Sequence, residues 1–542
     1  MAKKVAVIGA GTSGLATIKC CLDEGLEPTC FERSDDIGGL WRYTEKVEDG
    51  RGSIYKSVIT NTSKEMMCCS DFPFPEHFPN YLSHTKMLEY QRRYAEHFGL
   101  LRCIKFKTLV KNIRKRSDFS STGQWDIVTE KEGKQESTIF DAVFVCNGHF
   151  VEPYLPLESF PGIEKFKGRW FHSREYKTPD GFQNKKVLIL GIGNSAADIA
   201  TELSHTASEV FLSTRRGIWV LNRIFGNGYP WDIIHLTRVK NWIRNFLPPA
   251  IKKWLEAKSF NRWFNHANYG LGMHEGDQWK EPIANEELPS RIISGCLVIK
   301  TSIREFTETS AIFDDGSVEK DIDVVILATG YSISFPFLDE SVVKVVDNNI
   351  SLYKSVFLPA LEKPTLAFIG LILPIAALMP TAEMQARWAT RVISGLKKLP
   401  PLNEIMEDIE KKKKILIKRF GTTRGCTLLV DYIEYMDEIA AEIDVKPNIL
   451  HLFLTDPKLA LEVFLGPCTP CQYRLTGPGK WDGARTAILT EWNRILKPTR
   501  TRVAKKLAKS SLSLPLWFLW ILALFVSVLV FNFYSQTRQG KF

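Results

Sequence analysis

Two glycine-rich turns constrain what this chain can fold into more than any other feature. The first, Gly9-Ala10-Gly11-Thr12-Ser13-Gly14, follows the apolar run 5–8, and the second, Gly191-Ile192-Gly193-Asn194-Ser195-Ala196, follows the apolar run 187–190. A strand that turns sharply through glycines into a helix is typical of a dinucleotide-binding unit, because the glycines let the backbone approach a pyrophosphate at the helix N-terminus. The sequence therefore predicts an α/β fold with two Rossmann-like units.

The residue at the end of the second strand of each unit separates two kinds of nucleotide. Glu32 lies 23 positions after Gly9, where a carboxylate accepts hydrogen bonds from the hydroxyls of an unphosphorylated ribose. At the same spacing after Gly191 stands Thr214, followed by a pair of arginines that begins with Arg215. A hydroxyl and guanidinium groups suit a 2′-phosphate. The first unit is predicted to bind FAD, with NAD as the alternative, and the second NADPH; a solvated loop is the alternative for the arginines.

The formal net charge of +10 is concentrated at the C-terminal end, because residues 492–542 contain nine Lys or Arg residues and no acidic residue. The rest of the chain is nearly neutral, so charge predicts no nucleic-acid partner. As a helix, the uncharged apolar stretch 514–534 would measure roughly 31 Å, enough to cross a bilayer core. Seven of the nine cations precede it, which predicts a membrane anchor over 511–535 with a cytosolic body; a buried core helix is the alternative.

The eleven cysteines of a cytosolic chain are expected to be thiols rather than disulfides. Cys468 and Cys471 form a CxxC pair, but neither a second pair nor neighbouring histidines accompany it. No metal site is therefore predicted.

Residues 217–285 interrupt the second unit and hold six of the chain's 14 tryptophans among scattered Lys and Arg residues. Amphipathic helices of this composition either cover a substrate channel or lie on a membrane surface. Packing of a helical insertion into the core is an equally good interpretation.

The strand ends divide the chain into parts that alternate between the two units. The predicted parts are the FAD-binding domain in 1–154 and 332–445, the NADPH-binding domain in 155–216 and 286–331, the Trp-rich helical insertion in 217–285, a C-terminal region with a basic linker in 446–510, and the transmembrane or monotopic anchor in 511–535.

A family signature stands between the two turns. Phe166 to Tyr176 fit the pattern FxGxxxHxxxY, and further motifs lie at 32–33, 38–41, 61–66, 328–331 and 477–485. On these motifs, which extend over nearly the whole chain, the sequence is identified as a member of the flavin-containing monooxygenases. It resembles most closely the microsomal dimethylaniline type that forms N-oxides.

The resemblance implies a reaction and a location. NADPH reduces FAD, O2 adds at the flavin C4a carbon to give a hydroperoxide while NADP⁺ stays bound, and a soft nucleophile then takes the distal oxygen. Amines, sulfides and other xenobiotics are the implied substrates, and the endoplasmic reticulum membrane is the implied location. Oxygen insertion beside a ketone is an alternative, although the related Baeyer–Villiger enzymes end the signature in Trp rather than Tyr176. An uncoupled NADPH oxidase that releases hydrogen peroxide is another, and a homo-oligomer is left open.

The resemblance also assigns roles to individual residues. Asn61 is expected to be catalytic, since its amide can donate a hydrogen bond to the flavin hydroperoxide without acting as a strong acid. Leu373 and Ala376 depart from a common family form and are expected to narrow or dry the substrate approach. The predicted cofactor-binding residues are Gly9, Ala10, Gly11, Thr12, Ser13, Gly14, Glu32, Arg33, Gly39, Leu40 and Trp41 for FAD; Thr60, Asn61 and Thr62 beside the nicotinamide; and Gly191, Gly193, Asn194, Ser195, Ala196, Ala197, Asp198, Thr214, Arg215, Thr329 and Gly330 for NADPH and the adjoining strand end.

Overall fold

The computed structural model describes residues 2–273, 281–421 and 424–502. All strands and α-helices named below belong to one compact unit, Met1–Pro498. Within the described ranges, no helix has both the length and the apolar character that crossing a membrane requires. The predicted anchor over 511–535 lies outside the described residues.

The first part of the chain, 2–154, begins with a strand, a helix and a second strand, as its glycine turn predicts. Its elements are β1 (Lys4–Ile8), α1 (Thr12–Asp23), β2 (Glu27–Phe31), α2 (Lys64–Met67), α3 (His84–His97), β3 (Ile104–Lys105), β4 (Leu109–Lys115), α4 (Phe119–Thr122), β5 (Trp125–Lys131), β6 (Lys134–Phe140), β7 (Ala142–Val145) and β8 (Glu152–Pro153).

The second part, 155–332, repeats the same strand–helix–strand beginning after a short entry strand. Its elements are β9 (Arg169–His172), β10 (Lys186–Leu190), α5 (Asn194–Leu203), β11 (Glu209–Ser213), β12 (Val220–Leu221), β13 (Ile224–Phe225), β14 (Tyr229–Pro230), α6 (Trp231–His235), α7 (Arg238–Phe246), α8 (Pro249–Phe260), β15 (Ile283–Ala284), α9 (Leu288–Ile293), β16 (Val298–Lys300), β17 (Ile303–Phe306), β18 (Ala311–Phe313), β19 (Val318–Glu319), β20 (Val324–Leu327) and β21 (Tyr331–Ser332).

The third part, up to residue 502, is mainly helical. Its elements are β22 (Leu366–Phe368), β23 (Leu373–Pro374), α10 (Leu378–Ile393), α11 (Leu402–Phe420), β24 (Leu429–Val430), α12 (Tyr432–Glu442), α13 (Ile449–Thr455), α14 (Pro457–Leu465) and α15 (Ala484–Leu496).

Two five-stranded parallel sheets organise these elements. The first has the order β22-β7-β1-β2-β3 and the second the order β16-β11-β10-β20-β9. The strand before each glycine turn, β1 or β10, is central and consists of a continuous apolar run, as expected for a strand covered on both faces. The predicted α/β fold is confirmed.

In each sheet, one edge strand is distant in sequence from the strand with which it pairs. The first sheet takes β22, which follows the second sheet in sequence, and the second takes β9, which precedes its glycine turn. The chain therefore leaves the first sheet, builds the second and returns. The carboxyl ends of the central strands carry both glycine turns, and in parallel sheets ligands bind at that edge.

The segment 217–285 is largely helical where it is described, with α6, α7 and α8 between two short strands that pair with each other. Val220 lies opposite Ile283 and Leu221 opposite Ala284 in the parallel pair β12–β15, which brings the two ends of the segment together. The segment thus leaves the second unit and returns to it. The predicted boundaries between domains stay predictions.

Candidate functional site

The first glycine turn is shaped by contacts that exclude side chains. Gly9 has a φ of +102°, and a Cβ there would lie 2.9 Å from the carbonyl oxygen of Cys146, at the end of β7. A Cβ on Gly14 would lie 1.8 Å from the carbonyl oxygen of Gly9, so α1 can start against β1 only with glycine at this position. Thr12 and Ser13 form the first turn of α1, and Thr12 Oγ1 accepts a hydrogen bond of 2.8 Å from Gln91.

Glu32 lies beside this turn and is buried, with 7% of its surface exposed. Its Oε2 accepts a hydrogen bond of 2.8 Å from the backbone N–H of Ala10, and its Oε1 accepts bonds of 2.8 Å from the backbone N–H and the hydroxyl of Ser34. Among the described residues, Glu32 has no ion pair. A buried carboxylate with three neutral donors and lone pairs to spare fits the hydroxyls of a ribose.

The loop at 37–41 closes over the same turn. The backbone N–H of Gly38 donates to Ala10 O at 3.1 Å, and a Cβ on Gly11 would lie 3.4 Å from the Cα of Gly39. Leu40 and Trp41 complete a short 3₁₀ turn with Gly39. The structure therefore brings together the two motifs that are predicted to bind FAD, and a side chain at Gly11 or Gly39 would enter the space between them. Arg33, in contrast, is exposed and turns toward Gly50.

The second glycine turn resembles the first, except that alanine stands at the position of the third glycine. Gly191 has a φ of +119°, and a Cβ there would lie 2.5 Å from the carbonyl oxygen of Ala328, at the end of β20. A Cβ on Gly193 would meet no atom within 4 Å, which leaves bare backbone facing open space. Ala196 replaces the third glycine and is fully buried, as is the neighbouring Ala197.

The end of β11 carries the residues predicted to recognise a 2′-phosphate. Thr214 Oγ1 donates to the carbonyl oxygen of Arg216 at 2.7 Å, and its backbone N–H donates to Lys300 O at 3.0 Å. Arg215 and Arg216 are exposed, and within the described chain neither forms an ion pair. Exposed cations beside a hydroxyl at the carboxyl edge of a sheet fit a phosphate group.

The N-terminal half of α5 connects the second unit to other segments. Asp198 Oδ2 accepts a hydrogen bond of 2.6 Å from the phenol of Tyr55, and its Oδ1 accepts one of 2.9 Å from the amide of Asn285. Burial raises the pKa of Asp198, and these two donors oppose that shift. Asn194 Oδ1 accepts a hydrogen bond of 3.0 Å from Ala284 N, and Ser195 stands beside it in the turn. These contacts fix α5 against the first part of the chain and against the end of the insertion.

The strand end at 329–330 is fixed by a histidine of the family signature. His172 Nδ1 accepts a hydrogen bond of 3.1 Å from Arg174 N, so the ring in this arrangement donates from Nε2 to Gly330 O at 2.9 Å. Burial lowers the pKa of His172 to about 4, and the ring is neutral at physiological pH. Thr329 donates its hydroxyl proton to Tyr154 O. His172 therefore orders the backbone here.

The predicted catalytic residue, Asn61, is exposed on a loop that an arginine of the insertion holds. Arg223 donates from Nη2 to Asn61 Oδ1 at 2.7 Å and from Nε to Thr60 O at 3.3 Å. Its third group, Nη1, donates to Glu286 Oε2 at 2.8 Å, and the arginine is 6% exposed. Because guanidinium only donates, the Asn61 carbonyl oxygen faces Arg223 and the amide Nδ2 faces away. Thr62 Oγ1 donates to Ala376 O at 3.1 Å.

The next residue of this loop is also held by the insertion. The backbone N–H of Ser63 donates to Asp232 Oδ2 at 2.6 Å, and burial raises the pKa of that carboxyl to about 6. Leu373 is half-buried on β23, three residues before Ala376. The structure thus places Ala376 next to the Asn61 loop.

The sequence did not identify Arg223, Glu286, Tyr55 or Asp232 as site residues. Each belongs to a segment without a glycine turn or a recognised motif, and each acts through a contact distant in sequence. The signal available in the sequence was weak, because Arg223 is one of several basic residues of the insertion, although Asp232 is one of its few acidic residues.

Both units fit a dinucleotide on features of their own residues. Gly11 and Gly193 leave backbone without side chains where a pyrophosphate would approach the helix N-termini, and Glu32 is a buried carboxylate without an ion pair among the described residues. Among these residues there is also no cluster of side chains that could hold a metal ion. The eleven cysteines are all free thiols.

Known proteins resemble this chain over nearly its whole length. A family model described as flavin-binding monooxygenase-like matches residues 2–533. The N-oxide-forming dimethylaniline monooxygenase 2 of Mus musculus is 56% identical over 537 residues, which are 99% of this chain and 100% of that protein. Flavin-containing monooxygenase 1 of Sus scrofa is 58% identical over 506 residues, 93% of this chain and 95% of that protein. The solved S-allyl-L-cysteine S-oxygenase of Allium sativum is similar with a TM-score of 0.63 and 26% identity, over 91% of this chain and 98% of its own.

Proposed function

The chain belongs to the flavin-binding monooxygenase family and is an FAD- and NADPH-dependent oxidoreductase, and from this premise we propose that it transfers one oxygen atom from O2 to soft nucleophiles. Amine nitrogens and sulfide sulfurs are the proposed acceptors. Two similar proteins are named for N-oxide formation and S-oxygenation, which supports this class. FAD, when bound, supplies the reduction and activation of dioxygen.

The observation that carries the proposal is the chemical difference between the two strand ends. Glu32 offers a buried carboxylate to a ribose, whereas Thr214 and Arg215 offer a hydroxyl and an exposed cation to a phosphate. The first unit is therefore proposed to hold FAD and the second NADPH. One chain then contains both the permanent group and the reductant.

Asn61 is the proposed hydrogen-bond donor beside the reacting atoms. Arg223 orients its amide so that Nδ2 is available, and the contacts of Arg223 with Thr60 and Glu286 keep that orientation. A neutral amide stabilises a developing negative charge without delivering a proton prematurely. Leu373 and Ala376 lie on the proposed substrate side of this loop and are expected to limit access of water.

The described part of the insertion supports the proposal that it lies on a membrane. Phe246, Trp254 and Leu255 are 71%, 59% and 41% exposed, and basic residues of α7 and α8 stand among them. Aromatic and aliphatic side chains beside Lys and Arg are typical of helices at a bilayer surface. We propose the endoplasmic reticulum as the location, with the segment 511–535 as a second anchor.

A direct test compares three substrates under NADPH and O2: a tertiary amine, a sulfide and a cyclic ketone. The proposal expects N-oxide and sulfoxide at rates close to that of NADPH oxidation, and little ester from the ketone. Dominant ester formation would favour the Baeyer–Villiger alternative. Hydrogen peroxide in amounts equal to the NADPH consumed, with no oxygenated product, would favour the uncoupled oxidase.

A further inference from the structure

The insertion contains a cavity that the oxygenation chemistry does not use. It has a volume of about 710 Å³ and is open to solvent between the strand β13, the end of α6, the start of α7, and α8 with the residues that follow. Phe225 and Leu255 supply apolar wall, and His235, Ser259 and Asn261 supply polar wall. We refer to this space as the basic cavity.

Three cations line the basic cavity: Lys240, Lys258 and Arg262. The described residues that line it include no carboxylate, and none of the three cations forms an ion pair with a described residue. Lys258 Nζ lies 4.9 Å from the ring centre of Trp254, and the Arg262 guanidinium lies 5.6 Å from that of Phe225. Aromatic rings therefore hold two of the cations without neutralising them.

His235 adds a polar atom without a partner. Its ring stacks on Trp231 and meets Phe225 edge to face, and its Nε2 is buried without a hydrogen-bond partner in the described chain. Burial, together with the charges of Lys240 and Arg262, lowers the pKa of His235 to about 4. The Nε2 of His235, unpartnered in the described chain and beside the charges of Lys240 and Arg262, is a polar atom to which an anionic ligand with hydrogen-bonding atoms would bind.

Exposed apolar side chains lie beside the cavity. Leu255 lines the cavity and is 41% exposed, and Trp254, the next residue toward the N-terminus of α8, is 59% exposed. A free inorganic anion would leave this surface in water, whereas an amphipathic anion would cover it. Charge and apolar surface together favour a ligand with an anionic head and a hydrocarbon tail.

We propose that the basic cavity binds the phosphate of an anionic phospholipid, with Lys240, Lys258 and Arg262 around the head group and the acyl chains along Trp254 and Leu255. The inference rests on the proposed membrane association of the insertion and adds selectivity for a head group. It involves no covalent step. Lipid of this class would hold the insertion, and with it Arg223, in one orientation at the bilayer.

The test measures flotation of the full-length protein with phosphatidylcholine vesicles that either contain or lack phosphatidic acid. The double variant Lys258→Gln/Arg262→Gln removes two cations from the cavity. The double variant Lys252→Gln/Lys253→Gln removes two cations of α8 that do not line the cavity, so both variants lose equal net charge. Retained FAD absorbance shows that each variant is folded.

We expect the cavity variant to reduce the preference for phosphatidic acid by at least about tenfold, and the control variant to reduce it by less than about threefold. Equal reductions would show nonspecific attraction to a charged surface and overturn the site. Loss of the preference on addition of inorganic phosphate at the lipid concentration would also overturn it, because the cavity would then take the free ion. Absence of flotation on both kinds of vesicle would refute the membrane association itself, and oxygenase activity in detergent tests the proposed chemistry independently.

Discussion

The two nucleotide units have nearly the same backbone, but their predicted binding sites differ in how enclosed they are. In the first, a carboxylate is buried against the glycine turn and receives three hydrogen bonds, and the loop at 37–41 closes over it. In the second, the corresponding positions are Thr214 and exposed arginines, and Gly193 faces open space. The first arrangement suits a group that stays bound, whereas the second suits a nucleotide that must enter and leave.

The contacts between the two units bear on the proposed chemistry. Between the units, the insertion holds the loop of Asn61 through Arg223 and Asp232, so the proposed reacting region is formed by contacts between segments rather than by either unit alone. Substitutions in the first unit should therefore affect FAD retention, and those in the second should affect the choice of nucleotide. Substitutions between the units should affect the yield of oxygenated product per NADPH.

The largest effect is expected for Gly14→Ala in the first unit. The new Cβ would lie 1.8 Å from Gly9 O, which forces α1 away from β1 and opens the FAD turn. We expect a loss of about 3 kcal/mol or more of unfolding free energy, together with loss of bound flavin. Thermal unfolding and the flavin absorbance of the purified protein measure these effects.

The second unit provides the matched control for that substitution. Ala196→Gly places glycine at the equivalent turn position and should lower stability by only about 1 kcal/mol, through helix propensity, with FAD retained. Similar losses in the two variants would break the comparison, because the turns would then be packed alike.

Asn61→Ala should have the next largest effect. Removing one preorganised donor lowers oxygen transfer by about a hundredfold, and the electrons from NADPH should appear as hydrogen peroxide instead, with FAD still bound. The yield of sulfoxide and of peroxide per NADPH gives the measurement. A variant with unchanged yield would remove Asn61 from the proposed role.

Arg223→Gln sharpens this prediction, since it removes the group that orients Asn61. We expect a smaller fall in product yield, about tenfold, with Arg223→Lys between this variant and the wild type. In the double variant with Asn61→Ala, the second substitution should add almost nothing to the first, because both act on one hydrogen bond. Independent, additive losses would mean that Arg223 acts by another route.

The pH dependence of stability tests the signature histidine of the second unit. The pKa of His172 is about 4 in the folded protein and about 6.5 when unfolded, so the unfolded state binds more protons between these values. Stability is therefore lost as the pH falls below about 6.5, by about 2 kcal/mol at pH 5 from this group. Urea unfolding at pH 8 and pH 5 should show a smaller decrease for His172→Asn than for the wild type, and equal decreases would contradict the assignment.

The sequence predicted the sheets well because their determinants are local. The glycine turns, the apolar runs before them and the residue at the end of the second strand all lie within about 25 positions of one another, and each reports a backbone requirement. The distant strands β9 and β22 could not be assigned to their sheets in this way, because nothing near Arg169 or Leu366 in sequence specifies its partner strand.

The site was predictable in part for the same reason. Glu32 and Thr214 follow from spacing, but the contact of Arg223 with Asn61 joins residues that are 162 positions apart. Such a contact depends on how the insertion packs. Composition alone left three interpretations of the insertion open. The basic cavity depends on that packing as well, since Lys240 lies on α7 and Arg262 follows α8.

The smallest of these effects is expected for Arg215→Ala, and it tests the comparison of the two units most directly. If the arginine pairs with a 2′-phosphate, its loss should reduce the preference for NADPH over NADH by about fivefold, because one solvent-exposed ion pair is removed from only one of the two nucleotides. The ratio of kcat/KM for the two nucleotides measures this preference. Arg114→Ala removes an exposed arginine of β4 and should leave the ratio unchanged. Equal losses with NADPH and NADH would mean that Arg215 supports the fold of the strand end and not the recognition of phosphate, and the chemical contrast with Glu32 would then no longer separate the two units.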